Sequence, residues 1–180
     1  MRLPLTALLL IPSLVIPGLG LAASDNTAPP KPTETTTTCK GVKIWDPETR
    51  KCVKPKDAAL DDDHLYDAAR ELAYAGRYGD AQTVLSAIPD QNADRVLTYW
   101  GFTHRKLGNL GLAQVFYDRA IARNPDNILA RSYMAQGHVQ EGRMEDAIAQ
   151  WREIRARGGE GTWAEVSLRR ALRTGLTYNY

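Results

Sequence analysis

Gly76-Arg77-Tyr78-Gly79-Asp80-Ala81, Gly108-Asn109-Leu110-Gly111-Leu112-Ala113 and Gly142-Arg143-Met144-Glu145-Asp146-Ala147 share one pattern, Gly-x-large-x-x-Ala. The copies start 32 and 34 residues apart. Self-similarity at such a period points to stacked repeats. Apolar residues at helical spacing run for about four turns before and after each copy. The glycine is placed to end one helix in a left-handed cap. The large residue opens the next helix, and the alanine lets the two helices approach closely. Asn124-Pro125-Asp126-Asn127 is a strong stop and restart after the second unit. Thr162-Trp163-Ala164-Glu165 then reads as a capping box, and Gly175 as the stop of a last helix. The expectation is an all-α chain over residues 60–180: three helix pairs (62–93, 94–127 and 128–161) and a capping helix (162–175) that covers the open end of the stack.

Aligned on the glycines, further positions agree. A small residue recurs in the first helix at Ala69, Gly101 and Ala135. A large one recurs in the second helix at Leu85, Tyr117 and Trp151, and a later apolar or small one at Ile88, Ala120 and Ile154. Over residues 62–161 the chain resembles the tetratricopeptide repeat (TPR) family. It departs from the family in the compressed end of the first unit, Ile88-Pro89-Asp90, and in Gly158-Gly159, where proline is usual. The resemblance implies an α-solenoid and a non-catalytic role in binding proteins.

In that family the first helix of each pair lines a concave groove. Carried over by the glycine alignment, the groove is expected to present Tyr66, Arg70 and Tyr74 from the first unit. Arg95, Phe102, Arg105 and Lys106 would come from the second, and Gln136 from the third. Arg70, Arg95, Arg105 and Lys106 suit a partner's acidic side chains or its terminal carboxylate. Tyr66, Tyr74 and Phe102 suit its apolar parts. The asparagines with which one branch of the family captures chaperone tails are missing from these positions.

The first third of the chain has a different character. Met1-Arg2 is a positive start, Leu3 to Leu21 is uncharged and mostly apolar, and Ala22 and Ala23 offer a cleavage point. This is the pattern of a secretory signal peptide over residues 1–23. A retained membrane anchor is the alternative, weakened by Pro4, Pro12 and Pro17. Cleavage would leave no segment apolar enough for stable membrane insertion. Residues 24–38, Ser-Asp-Asn-Thr-Ala-Pro-Pro-Lys-Pro-Thr-Glu-Thr-Thr-Thr-Thr, offer little to bury and read as a disordered linker. Residues 39–56 read as a hairpin, with Val42 and Ile44 alternating with lysines and Asp46-Pro47-Glu48-Thr49 as its turn.

Cys39 and Cys52 would close that hairpin. In an exported chain a disulfide is the expected pairing. A metal pair lacks two further ligands nearby, and a redox pair prefers Cys-x-x-Cys. Trp45 is expected to cover the disulfide. The competing role is contact with a glycan or cell-wall polymer, with the helices as a spacer.

The 180 residues carry a formal net charge of +2, with 24% charged and 43% hydrophobic residues. That balance excludes a chain built to coat nucleic acid and a strongly acidic one. No phosphate-binding glycine loop, Gly-x-Ser-x-Gly or Cys-x-x-Cys-His is present. His104 and His138 occupy equivalent repeat positions and read as packing residues. His64 follows Asp61-Asp62-Asp63 at a helix start, where acids favour the helix dipole. No cofactor and no metal site is expected. Acids crowd the start of the helical region and arginines its end, a polarity compatible with head-to-tail self-association. The sequence thus points to an exported or periplasmic adaptor that binds a peptide or protein segment, in the setting of envelope assembly.

Overall fold

The computed structural model describes residues 27–56 and 60–177. The expected signal segment, residues 1–23, lies outside them. Seven helices follow residue 60: α2 (Asp62–Tyr74), α3 (Tyr78–Leu85), α4 (Asp94–Lys106), α5 (Leu110–Arg123), α6 (Ile128–Gln140), α7 (Met144–Ala156) and α8 (Trp163–Thr174). A short helix, α1 (Glu34–Thr37), and two strands, β1 (Ile44–Asp46) and β2 (Lys51–Val53), precede them.

The repeated hexapeptides make the turns inside the pairs. Gly76, Gly108 and Gly142 have φ of +78°, +83° and +74°, a region that L side chains adopt at a cost. Tyr78, Leu110 and Met144, the large residue of each copy, open α3, α5 and α7. Other helix starts are capped by side chains: Asp61 accepts from His64 N–H, Asn127 from Ala130 N–H and Thr162 from Glu165 N–H. The Glu165 carboxylate does not close a reciprocal box. It accepts from the Trp151 indole at 2.8 Å and so ties α8 to α7.

Each helix packs on its neighbours in sequence, and α2, α4, α6 and α8 also pack on one another in succession. These four helices thereby form one face of the molecule. The pairs interlock through small residues. Gly101 of α4 lies against the Tyr117 ring of α5, where a Cβ would stand 2.5 Å from Cε1. Ala69 and Ala135, the matching positions, are fully buried. Leu72, Val84, Leu85, Val96, Tyr99, Tyr117 and Tyr133 fill the main core, and Ile154 and Leu168 belong to a second cluster near the C-terminal end.

The hairpin pairs Ile44 with Val53 and Trp45 with Cys52, and Cys39 and Cys52 are joined by a disulfide. The Asp46 carboxylate accepts from Glu48 N–H, Thr49 N–H and the Thr49 hydroxyl, which shapes the turn.

Residues 27–38 are not the free spacer that their composition predicts. Thr33 caps α1, and Glu71 of α2, 6% exposed, accepts from Thr33 N–H (2.7 Å), the Thr33 hydroxyl (2.5 Å), Thr36 N–H (3.1 Å) and the Thr36 hydroxyl. Hydrogen bonds to an ionised acceptor contribute about 1.5–3 kcal/mol each when buried. Arg77 donates to the carbonyls of Thr35, Cys39 and Gly41. Composition underrates such a segment, because long-range polar anchors order it rather than apolar burial.

Candidate functional site

Helix α2 sets Asp63, Tyr66, Asp67 and Arg70 on one stripe, at the i, i+3, i+4 and i+7 spacing of a single face. Helix α4 adds Asp94, Arg95 and Thr98, the turn before α6 adds Asn124, Asp126 and Asn127, and α6 adds Ile128 and Leu129. Together with Thr27 these residues enclose a hollow of about 550 Å³ at the N-terminal ends of α2, α4 and α6. A volume of that size suits a small molecule or a few residues of peptide.

Its walls are held by polar contacts. Arg95 Nη1 lies 2.6 Å from Asp63 Oδ1, and its guanidinium carbon lies 4.7 Å from the Tyr66 ring centroid. Arg70 donates to the Tyr99 hydroxyl at 3.2 Å and to Asp67 at 3.4 Å. Asp94 Oδ2 accepts from Asn124 Nδ2 (2.7 Å) and Asn127 Nδ2 (2.9 Å), while Asn127 Nδ2 also donates to Thr98 Oγ1. Four aspartates and two arginines line the space, so its field favours a partner that is not acidic.

Of the eight groove residues expected from the sequence, Tyr66, Arg70 and Arg95 meet at this hollow. The others do not form an open groove. Tyr74 and Phe102 are buried and stacked on each other, with ring centroids 5.8 Å apart and an interplanar angle of 11°. The Tyr74 hydroxyl reaches the Tyr133 hydroxyl at 2.5 Å, so α2 and α6 touch past α4. Phe102 and Tyr133 rings are 4.7 Å apart. Aromatic side chains therefore fill this part of the face themselves. Gln136 is fully buried and Arg105 is 2% exposed. Arg105 runs against Gly137 and donates to Gln140 Oε1 at 3.0 Å. Lys106 is half-buried, with Nζ 5.5 Å from the Phe102 centroid. Burial, reinforced by Arg105, pushes its pKa down to about 7.

His104, Trp100 and Phe116 form a triangle of near-parallel rings, with His104 5.9 Å from Trp100 and 5.4 Å from Phe116 and those two 5.8 Å apart, and His138 is buried. Burial holds both imidazoles below their ordinary pKa. Among the described residues no group of three or more histidine, cysteine, aspartate or glutamate side chains is arranged to hold a metal, and no helix is long and apolar enough to cross a membrane. Trp45 is half-buried, and its backbone N–H donates to Thr35 Oγ1 at 3.1 Å. It lines a shallow hollow with Thr33, His64 and Glu71.

Three contributors to the site, Asn124, Asn127 and Thr27, were not marked in the sequence. Asn124 and Asn127 read there only as helix punctuation, yet their amides hold Asp94 in the wall. Thr27 belonged to the supposed linker. The Asn-Pro-Asp-Asn run, with more amide and carboxylate groups than a turn requires, was the one available signal. No family model, curated protein or solved structure matches the chain.

Proposed function

We propose that the chain is a non-catalytic interaction protein of an oxidising, extracytoplasmic compartment. Its helices would form a tetratricopeptide-type solenoid that receives a peptide or protein segment on the α2/α4/α6 face. The hollow walled by Asp63, Tyr66, Arg70, Asp94, Arg95 and Thr98 carries this reading, because it presents donors and acceptors of both kinds beside the apolar Ile128 and Leu129. Extended peptide needs that combination for its main-chain groups and side chains. The Cys39–Cys52 disulfide supports the compartment. The partner's chemistry is revised from the sequence expectation. The arginines at the hollow already face Asp63 and Asp67, so a polar segment of mixed or positive charge fits better than an acidic tail.

The test is affinity capture from an envelope extract, with the wild-type chain and an Arg95→Glu variant as paired baits. Arg95 is 40% exposed in its side chain, so the reversal of charge leaves the core intact. A partner held by the wild type and lost by the variant is the expected outcome. Equal capture by both baits contradicts the assignment of the face.

A further inference from the structure

The segment from Thr27 to Thr33 begins on the same face and ends on α2 at Glu71. Thr27 is 7% exposed, and its Oγ1 accepts from Ala164 N–H, near the start of α8, at 3.0 Å. The next residue, Ala28, offers its carbonyl to Arg70 Nη2 of α2 at 2.9 Å. Consecutive Cα atoms are about 3.8 Å apart, so this dipeptide alone bridges the last helix and the first helix of the array. Pro29, Pro30 and Pro32 favour an extended chain beyond it, until Thr33 anchors on Glu71. Thr27 also forms part of the wall of the hollow. Between Thr27 and Thr33 the strap has one charged side chain, Lys31, and no acid, beside a hollow with four aspartates.

We infer that the strap of residues 27–33, through Thr27 and Ala28, takes up part of the partner's seat, and that the partner is an extended, proline-bearing, non-acidic segment which must displace them. The inference rests on the peptide-binding face proposed above. A hydroxyl facing Ala164 N–H and a carbonyl facing Arg70 are contacts that an external chain of the same chemistry reproduces. The attached copy has the advantage of a high effective concentration. An external ligand therefore binds with an affinity reduced by the fraction of molecules whose strap is released.

Three full-length proteins test this: wild type, Thr27→Lys and Thr27→Val. Lysine places a cation in a buried position at the positive end of α8 and expels the strap. Valine keeps the shape and removes the hydroxyl that accepts from Ala164 N–H. The probe is a fluorescent peptide, Asn-Thr-Ala-Pro-Pro-Lys-Pro-Thr, corresponding to residues 26–33 and followed by anisotropy. Binding to Thr27→Lys is expected to be roughly tenfold tighter than to wild type or better, with Thr27→Val between them. Exchanging the peptide's lysine for glutamate should weaken binding to each. Far-UV circular dichroism confirms the helices, and if Thr27→Lys has lost them the valine variant decides. Equal affinity for all three proteins overturns the strap as competitor and leaves the binding face standing. Absence of peptide binding with Arg95-dependent capture retained does the same. Absence of both removes the face and the strap together.

Discussion

Lys106 carries its ammonium over the face of Phe102 and beside Arg105, in a place where water is partly excluded. With a folded pKa of about 7 against an ordinary 10.5, the unfolded chain binds the extra proton between those values. Stability therefore rises with pH from about 7 to about 10.5 through this group, and its contribution is lost as pH falls. In Lys106→Met the urea midpoint should change less between pH 7 and pH 9.5 than in the wild type. An unchanged slope contradicts the assignment. The same residue marks a limit of reading sites from sequence. Spacing placed Lys106 and Arg105 together at the end of the first helix of a unit, but not how far its neighbours would close over them. Phe102, Tyr74 and Tyr133 decide that by packing on one another, which turns an expected open groove into core.

At the level of helices and turns the sequence was far more legible. The hexapeptide pattern located the openings of α3, α5 and α7 because a left-handed glycine and a packed alanine are local demands, readable residue by residue. Ala81, Ala113 and Ala147 are each buried to 2% exposure or less, as close approach requires. The first-helix small position carries a prediction. Replacing Gly101 with alanine gains up to about 1 kcal/mol of helix propensity but drives a methyl into the buried Tyr117 ring, which costs about 1–3 kcal/mol and should prevail. Gly111 of α5 has nothing within 4 Å of its would-be Cβ, so Gly111→Ala should be neutral or stabilising. Opposite signs in the urea midpoints of the two variants are expected. The same sign for both contradicts this account of the α4/α5 contact. Segment 27–38 was illegible by comparison. Its anchors, Glu71 and Arg77, lie some 35 to 42 residues away along the chain, and no local pattern announces such pairings.

Across the whole molecule the N-terminal segment and the helical array are one structure. Glu71 and Arg77 bind it to the first pair, and Thr27 joins it to α8. The disulfide-closed hairpin is thus tied to the helices through α1 and Arg77 rather than carried on a free tether. What distinguishes the faces is the hollow: polar, open, built from three helices and walled on one side by Thr27. The most direct measurement is amide hydrogen exchange on the full chain, with and without the captured partner. Slowed exchange in residues 63–70, 94–98 and 124–129 is the predicted result. Slowed exchange confined to residues 39–53 would place the partner on the hairpin and contradict the account.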